Sequence, residues 1–198
     1  MALTTIATAA ACTAAPVSPW LRRMPRSDME PTVTLRAITE RNRQEIVDLR
    51  VAAERQDLVD GVRESIAAAT PHASPWYRAV YAGEVPVGFV MLADDVVPGN
   101  EVIPWRYYLW RMLIDARFQG RGYGRTALDC VVAYLRTRPG ADTLVTSVVA
   151  GEGSPMGFYL RYGFQSTGQM FDHEHVLLLR LKDVPAPRSL STCSNRPE

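Results

Sequence analysis

A strong charge of either sign is missing from this sequence. Its 198 residues carry 22 Lys and Arg against 21 Asp and Glu, a formal net charge of +1. Neither nucleic acid nor an anionic membrane surface is therefore expected as the main partner. Cysteine is scarce: Cys12, Cys130 and Cys193 are an odd number at wide spacings. That excludes a disulfide framework and reads as reduced thiols in a cytoplasmic protein. Cys130 reads as a packing residue, because nothing near it suggests a base. Histidine is equally thin, with 3 in all. His173-x-His175 sets two imidazoles on one side of a strand, but no third ligand of suitable spacing accompanies them, so no metal is expected. A secretory signal is poorly supported, since no basic residue precedes the alanines around Cys12 and threonines break the apolar stretch there.

With 47% hydrophobic and 22% charged residues, the chain suffices for one domain with a full core plus tails. Residues 1–31 are Ala/Thr-rich, then rich in Pro and Arg, without apolar periodicity, and are expected to be a disordered tail. Translation starting at Met24 or Met29 is an open alternative. Residues 32–182 read as the folded domain, and 183–198, rich in Pro and Ser, as a loose end. Within the domain, Val33 to Ile38 reads as a strand, Arg41 to Arg50 as a helix, and Glu54 to Ala69 as a second helix broken near Gly61. Glu54, Asp57, Asp60 and Glu64 fall within an arc of about 120° on that helix, one acidic stripe. Trp76 to Tyr81 and Val85 to Ala93 form a hairpin about Ala82-Gly83-Glu84. Leu144 to Val149 and His175 to Leu181 are further strands. Ser154 to Arg161 is a short helix with Pro155 in its first turn.

The organising stretch is Tyr107 to Arg125, YYLWRMLIDARFQGRGYGR. Tyr108 to Ile114 is a buried strand, Asp115 to Phe118 a polar turn, and Gly120, Gly122 and Gly124 a glycine loop. Ala127, Leu128, Val131 and Leu135 then recur at helical spacing from Thr126 to Arg136. Loop amides at such a helix start lack partners and face the positive end of the peptide dipoles, a place suited to phosphate. No Gly-Lys-Ser/Thr follows, which excludes a nucleotide-triphosphate loop, and no ribose-binding carboxylate follows on the next strand. Strand alternation sets Tyr107, Leu109, Arg111 and Leu113 on one face and Tyr108, Trp110, Met112 and Ile114 on the other.

Gln119-x-x-Gly122-x-Gly124, with Arg121 and Arg125 interleaved, resembles the pyrophosphate loop of the GNAT superfamily of N-acetyltransferases. Downstream, Gly157-Phe158-Tyr159-Leu160-Arg161-Tyr162-Gly163-Phe164 is similar to the family's FYxxxGF signature. The two together look most like the bacterial spermine/spermidine (diamine) acetyltransferases, over roughly Val33 to Leu181. The resemblance implies an α/β GNAT fold, a mixed central β-sheet whose central strands splay apart between flanking helices. It implies acetyl-CoA as cosubstrate, with backbone of Met112, Leu113 and Ile114 on the pantetheine arm. Gln119, Gly120, Arg121, Gly122, Tyr123, Gly124 and Arg125 would hold the diphosphate. Tyr159 matches the tyrosine that protonates the departing thiolate, Tyr162 being the substitute; the plain alternative is a packed aromatic. The acidic stripe, Glu54 and Asp57 above all, would border the acceptor cleft and attract a polyamine, or else be an ordinary solvated helix face. Tyr107 and Trp110 are candidates for cation–π contact with an alkylammonium, or else core.

Two departures from the family pattern matter. Where many members carry an asparagine ahead of the FY helix, this chain has Gly151-Glu152-Gly153-Ser154, so Ser154 or backbone takes that place. The cofactor strand bears no glutamate to act as base; it carries Arg111 and ends in Asp115, which the turn points away. The expected activity is acetyl transfer to a small-molecule primary amine, a di- or polyamine such as spermidine or spermine, by direct attack in a ternary complex. Other readings are an antibiotic, amino acid or protein amine as acceptor, or a non-catalytic acyl-CoA-binding sensor. Many relatives are dimers, which leaves a homodimer open.

Overall fold

Val33–Arg36 buries Val33 and Leu35 and leaves Thr34 and Arg36 less covered, the alternation of a strand with one face on the core, and forms β1. The structure, a computed structural model, describes residues 32–50, 61–69, 75–100, 102–185 and 193–196. The N-terminal tail and the acidic positions Glu54, Asp57 and Asp60 lie outside the described residues. Helix α1, Arg43–Val47, is shorter than expected, and α2, Val62–Ala69, begins just after Gly61. The hairpin follows as β2, Pro75–Ala82, and β3, Val85–Asp94. Gly83, with φ 63°, stands in its turn, where a side chain would be strained.

After β4, Tyr107–Ile114, a short 3-10 turn at Ala116–Phe118 leads to α3, Tyr123–Leu135. Then come β5, Thr143–Val148; α4, Met156–Tyr162; β6, Gln165–Phe171; β7, Glu174–Arg180; and β8, Cys193–Arg196. These strands make one mixed sheet in the order β6-β7-β5-β4-β3-β2-β1-β8. Its pairs are antiparallel except β4 with β5 and β1 with β8, which are parallel. Helix α3 covers one face: Ala127, Leu128, Val131 and Leu135 pack with Val80, Val90, Leu92 and Leu109. Each such side chain removed from water contributes about 1.5–3 kcal/mol. On the other face Ile46 of α1 and Val62 of α2 meet Phe89, Met91 and Leu113. β3 lies between both layers, which is why it is buried along nearly its whole length.

Four expectations need correction. Strict alternation fails in β4, because Met91 faces Arg111 while Leu92 faces Leu109, leaving Trp110 as an extra residue, a β-bulge. Tyr107, Leu109 and Met112 consequently pack on the α3 side, and Trp110 and Leu113 on the other. β6 was not expected, since its run Gln165–Phe171 is largely polar and exposed and holds Gly168 at φ 75°. The stretch from Asp183 onward is not wholly loose, for Cys193–Arg196 pairs with Val33–Arg36. Cys130, expected as a reduced thiol, is disulfide-bonded. Among the described residues no helix is long and apolar enough to cross a membrane.

Candidate active site

The cleft arises where two parallel strands part company. Tyr108 faces Val145, and beyond that pair β4 and β5 have no further register. The Thr146 hydroxyl donates to the Leu109 carbonyl at 3.0 Å and ties the two strands there. Past it the strands open around a cleft of about 970 Å³.

The β4 wall is fastened from below. Buried Asp115 accepts from the backbone N–H of Arg50 at 3.1 Å and of Arg117 at 2.9 Å, and pairs with the Arg117 guanidinium at 2.8 Å. The Arg117 hydrogen bond, foremost, holds its carboxyl below the usual carboxylate range. Asp115 therefore clamps the turn and is no free base. The Gln119 amide donates to the Ile114 carbonyl at 2.9 Å, tying the glycine loop to the strand end. Gly120 and Gly122 stand at φ 74° and 86°, and Gly122 precedes the first residue of α3, three residues earlier than the sequence suggested. This left-handed loop carries its amides onto the helix start. A Cβ on Gly88 of β3 would land on the Leu113 carbonyl oxygen and 2.7 Å from Ile114 Cδ1, so only glycine lets β3 lie this close to the strand end.

Met112, Leu113, Ile114, Gln119, Gly120, Gly122, Tyr123, Gly124, Arg125 and Ser154 all line the cleft, as does Trp110. Arg121 is not in its wall; its guanidinium sits 5.6 Å from the Phe118 ring. Tyr107 is a correction: it is buried in the α3-side core and its hydroxyl donates to the Pro139 carbonyl at 2.9 Å, away from the cleft. Ser154 uses its hydroxyl proton on the Val149 carbonyl at 2.6 Å and accepts from the Met156 N–H at 3.2 Å, which fixes the approach to α4. Glu54 and Asp57 lie outside the described residues.

Tyr159 reaches the cleft from α4 and is 6% exposed, held edge-on between Phe158 and Phe164 with both ring centroids 5.2 Å away. Burial, with the nearby Tyr108 phenol, pushes the Tyr159 hydroxyl well above an ordinary tyrosine, while its bond to Thr146 opposes the shift. It is thus a proton-bearing group at neutral pH. Tyr162 is differently engaged: its hydroxyl donates to Asp129 at 2.8 Å, joining α4 to α3.

Two wall residues, Ser147 and Glu174, have no signature in the sequence. Ser147 and Glu174 line the cleft from β5 and β7, and Arg111 and Arg161 join Arg125 as its arginines. Ser147 and Glu174 become neighbours only through the register of two non-adjacent segments. Three guanidinium groups and a glycine loop suit an anionic diphosphate ligand. Among the described residues no group of three or more His, Cys, Asp or Glu is arranged to hold a metal ion.

This fold and cleft agree with the comparison to known families: residues 35–164 match the acetyltransferase (GNAT) family, and the chain belongs to it. It is an acetyltransferase, and acetyltransferases of this family use acetyl-CoA. The spermine/spermidine N(1)-acetyltransferase of Bacillus subtilis is 26% identical over 154 residues, covering 76% of this chain and 99% of that protein. Among solved structures, a spermidine N-acetyltransferase chimera from Vibrio cholerae superposes with TM-score 0.53 at 19% identity, covering 76% of this chain and 96% of its own. An N-acetyltransferase from Thermoplasma acidophilum in complex with coenzyme A gives TM-score 0.52 at 12% identity, over 75% of this chain and 98% of that one.

Proposed function

We propose that this acetyltransferase carries acetyl from acetyl-CoA to a primary amine, and that the amine is a di- or polyamine such as spermidine or spermine. The observation that carries the reading is the opening between β4 and β5, with a glycine loop at its rim and the buried, protonated Tyr159 in its wall. The similarity to a spermine/spermidine acetyltransferase supports the acceptor class.

In this reading the loop amides of Gly120 to Gly124, with Arg125, hold the diphosphate, and the backbone of Met112 to Ile114 aligns the pantetheine arm. The cosubstrate supplies an activated acetyl thioester. Much of the acceleration comes from holding amine and thioester in line. Backbone N–H groups of β4 are the donors available to the carbonyl oxygen as charge develops on it. A leaving thiolate, with a parent pKa near ~8.5 by analogy with cysteine, needs a proton. Tyr159 retains its own through the neutral range, and burial penalises thiolate and phenolate alike, so burying both groups does not by itself make the transfer more uphill.

The acceptor poses the second proton problem. An alkylamine resembling lysine has a pKa near ~10.4 and arrives as an ammonium, without a lone pair for attack. The experiment that tests the reading is release of CoA thiol from acetyl-CoA against spermidine, spermine, a diamine, an aminoglycoside and short peptides. Saturable turnover with the polyamines alone is expected. Turnover confined to the aminoglycoside or the peptides overturns the acceptor assignment, and acetyl-CoA binding without turnover on any of them overturns the amine reading.

A further inference from the structure

The ammonium must lose a proton, and Glu174 is a carboxylate in the cleft wall with a hydrogen-bonded connection into it. Ser147 and Glu174 both line the cleft. The Ser147 hydroxyl donates to Glu174 Oε2, and Ser147 Oγ lies 2.6 Å from the Tyr108 hydroxyl. Serine has a single hydroxyl hydrogen. With that hydrogen on Glu174, the Tyr108–Ser147 bond must run from the phenol to the serine, so the chain points Tyr108 to Ser147 to Glu174. Ser147 then keeps a lone pair for one more donor. We propose that Glu174, acting through Ser147, is the proton acceptor for the amine substrate, an inference that rests on the amine-acetyltransferase reading above.

The step balances. An N–H of the ammonium gives its proton to Ser147 Oγ while Ser147 passes its own hydroxyl proton to Glu174. A cation and a carboxylate become a neutral amine and a neutral acid. The freed nitrogen lone pair forms the N–C bond to the thioester carbonyl carbon as the C–S bond breaks. The second nitrogen proton reaches the sulfur through Tyr159, and Glu174 returns its proton to water. The sum is ammonium plus thioester giving amide, thiol and one released proton.

Local geometry supports a built position. Glu174 is the first residue of β7 and pairs with Phe171 across a two-residue turn of Asp172 and His173, whose φ values are 46° and 66°. Two central residues at positive φ make this a type I′ hairpin turn, whose tight geometry fixes where β7 begins. Tyr108 is itself held by stacking on Trp105, with ring centroids 5.2 Å apart. The Tyr108 phenol feels the charges of both Glu174 and Arg111, and Tyr159 of α4 sits near Tyr108. Arg125 and Arg161 line the same cleft from α3 and α4, and Asp172 and His173 occupy the turn. Asp115, by contrast, is committed to Arg117 and the Arg50 N–H.

The test is the pH profile of kcat/KM for Glu174→Gln and Ser147→Ala, from pH 6 to about 10, with whichever panel amine the wild type turns over fastest. Near neutral pH each variant should lose about 100-fold, the range of a general base. The deficit should shrink towards the amine's own pKa, where the free base needs no acceptor, and the double variant should be no worse than either single one. Acetyl-CoA affinity by calorimetry should stay within about twofold, a split that a folding defect would not give. A deficit that is absent, or constant across pH, or accompanied by lost acetyl-CoA affinity, overturns the relay while wild-type turnover leaves the enzyme reading standing. If the wild type acetylates no amine at all, that reading fails and the relay with it.

Discussion

The two walls of the cleft are made differently. On the β4 side the side chains near the opening are spent on structure. Asp115 clamps Arg117, Gln119 ties down Ile114, and what faces the cleft there is largely backbone and glycine. On the β5–β7 side backbone pairing is complete, Val148 facing His175 and Thr143 facing Arg180. There the Ser147 hydroxyl and the Glu174 carboxylate are the groups the proposed relay would use. One wall offers shape and amides for a ligand of fixed structure; the other offers exchangeable protons. Asp115 is held by three donors, the Arg50 and Arg117 N–H groups and the Arg117 guanidinium, whereas Glu174 meets the Ser147 hydroxyl, the difference on which the proposed relay rests.

Breaking the first wall should have the largest effect. Gly122→Glu puts bulk, a strained φ and negative charge at the loop proposed to hold phosphate, and acetyl-CoA affinity measured by calorimetry should fall by more than about 100-fold. An unchanged affinity would remove the loop from the cofactor site. Tyr159→Phe should lower kcat by about 100-fold, within the range of a lost general acid, while acetyl-CoA binding changes little. Equal turnover would return Tyr159 to a packing role.

Smaller effects sharpen the contrast. Gly88→Ala must displace the Leu113 carbonyl or the strand itself, and should cost about 1–3 kcal/mol of stability and weaken acetyl-CoA together. A loss of stability with unaltered affinity would separate the β4 strand end from the pantetheine site. Asp115→Asn should cost about 1–3 kcal/mol in urea unfolding at pH 7, because its buried donors lose a charged acceptor. The folded carboxyl titrates below its unfolded value. Its contribution is therefore intact above an unfolded pKa near ~3.9 and is lost as pH falls through the lower folded value, so the deficit should narrow on acidification. A deficit independent of pH would mean that shape and not charge is what Asp115 supplies.

The first wall was legible in the sequence and the second was not. Gln119 to Arg125 and Phe158-Tyr159 are contiguous strings whose chemistry is local, and they suffice to announce the loop and the tyrosine. Ser147, Glu174 and Tyr108 come from three strands, and only register brings them together. Period-two counting breaks at Trp110, so the faces of β4 beyond it are misread, Tyr107 takes the core alternative, and β6 is hard to read because its residues have little to bury. The acidic stripe, resting on Glu54 and Asp57, lies outside the described residues and stays a sequence expectation.

The bulge at Trp110 also constrains the length of the gene product at this point. β3 and β4 pair on both sides of it, with Asp94 facing Tyr107 at one end and Gly88 facing Ile114 at the other. Removing one residue between Leu109 and Met112 would restore simple alternation, and adding one would shift the parity again. With one residue fewer, Met112 would stand two steps and Leu113 three steps beyond Leu109, so both would keep their present faces; at full length only the bulge puts Leu109 and Leu113 on opposite cores. Deleting Trp110 should therefore disturb the sheet less than flattening the bulge at full length, which would send Leu113 from one core to the other.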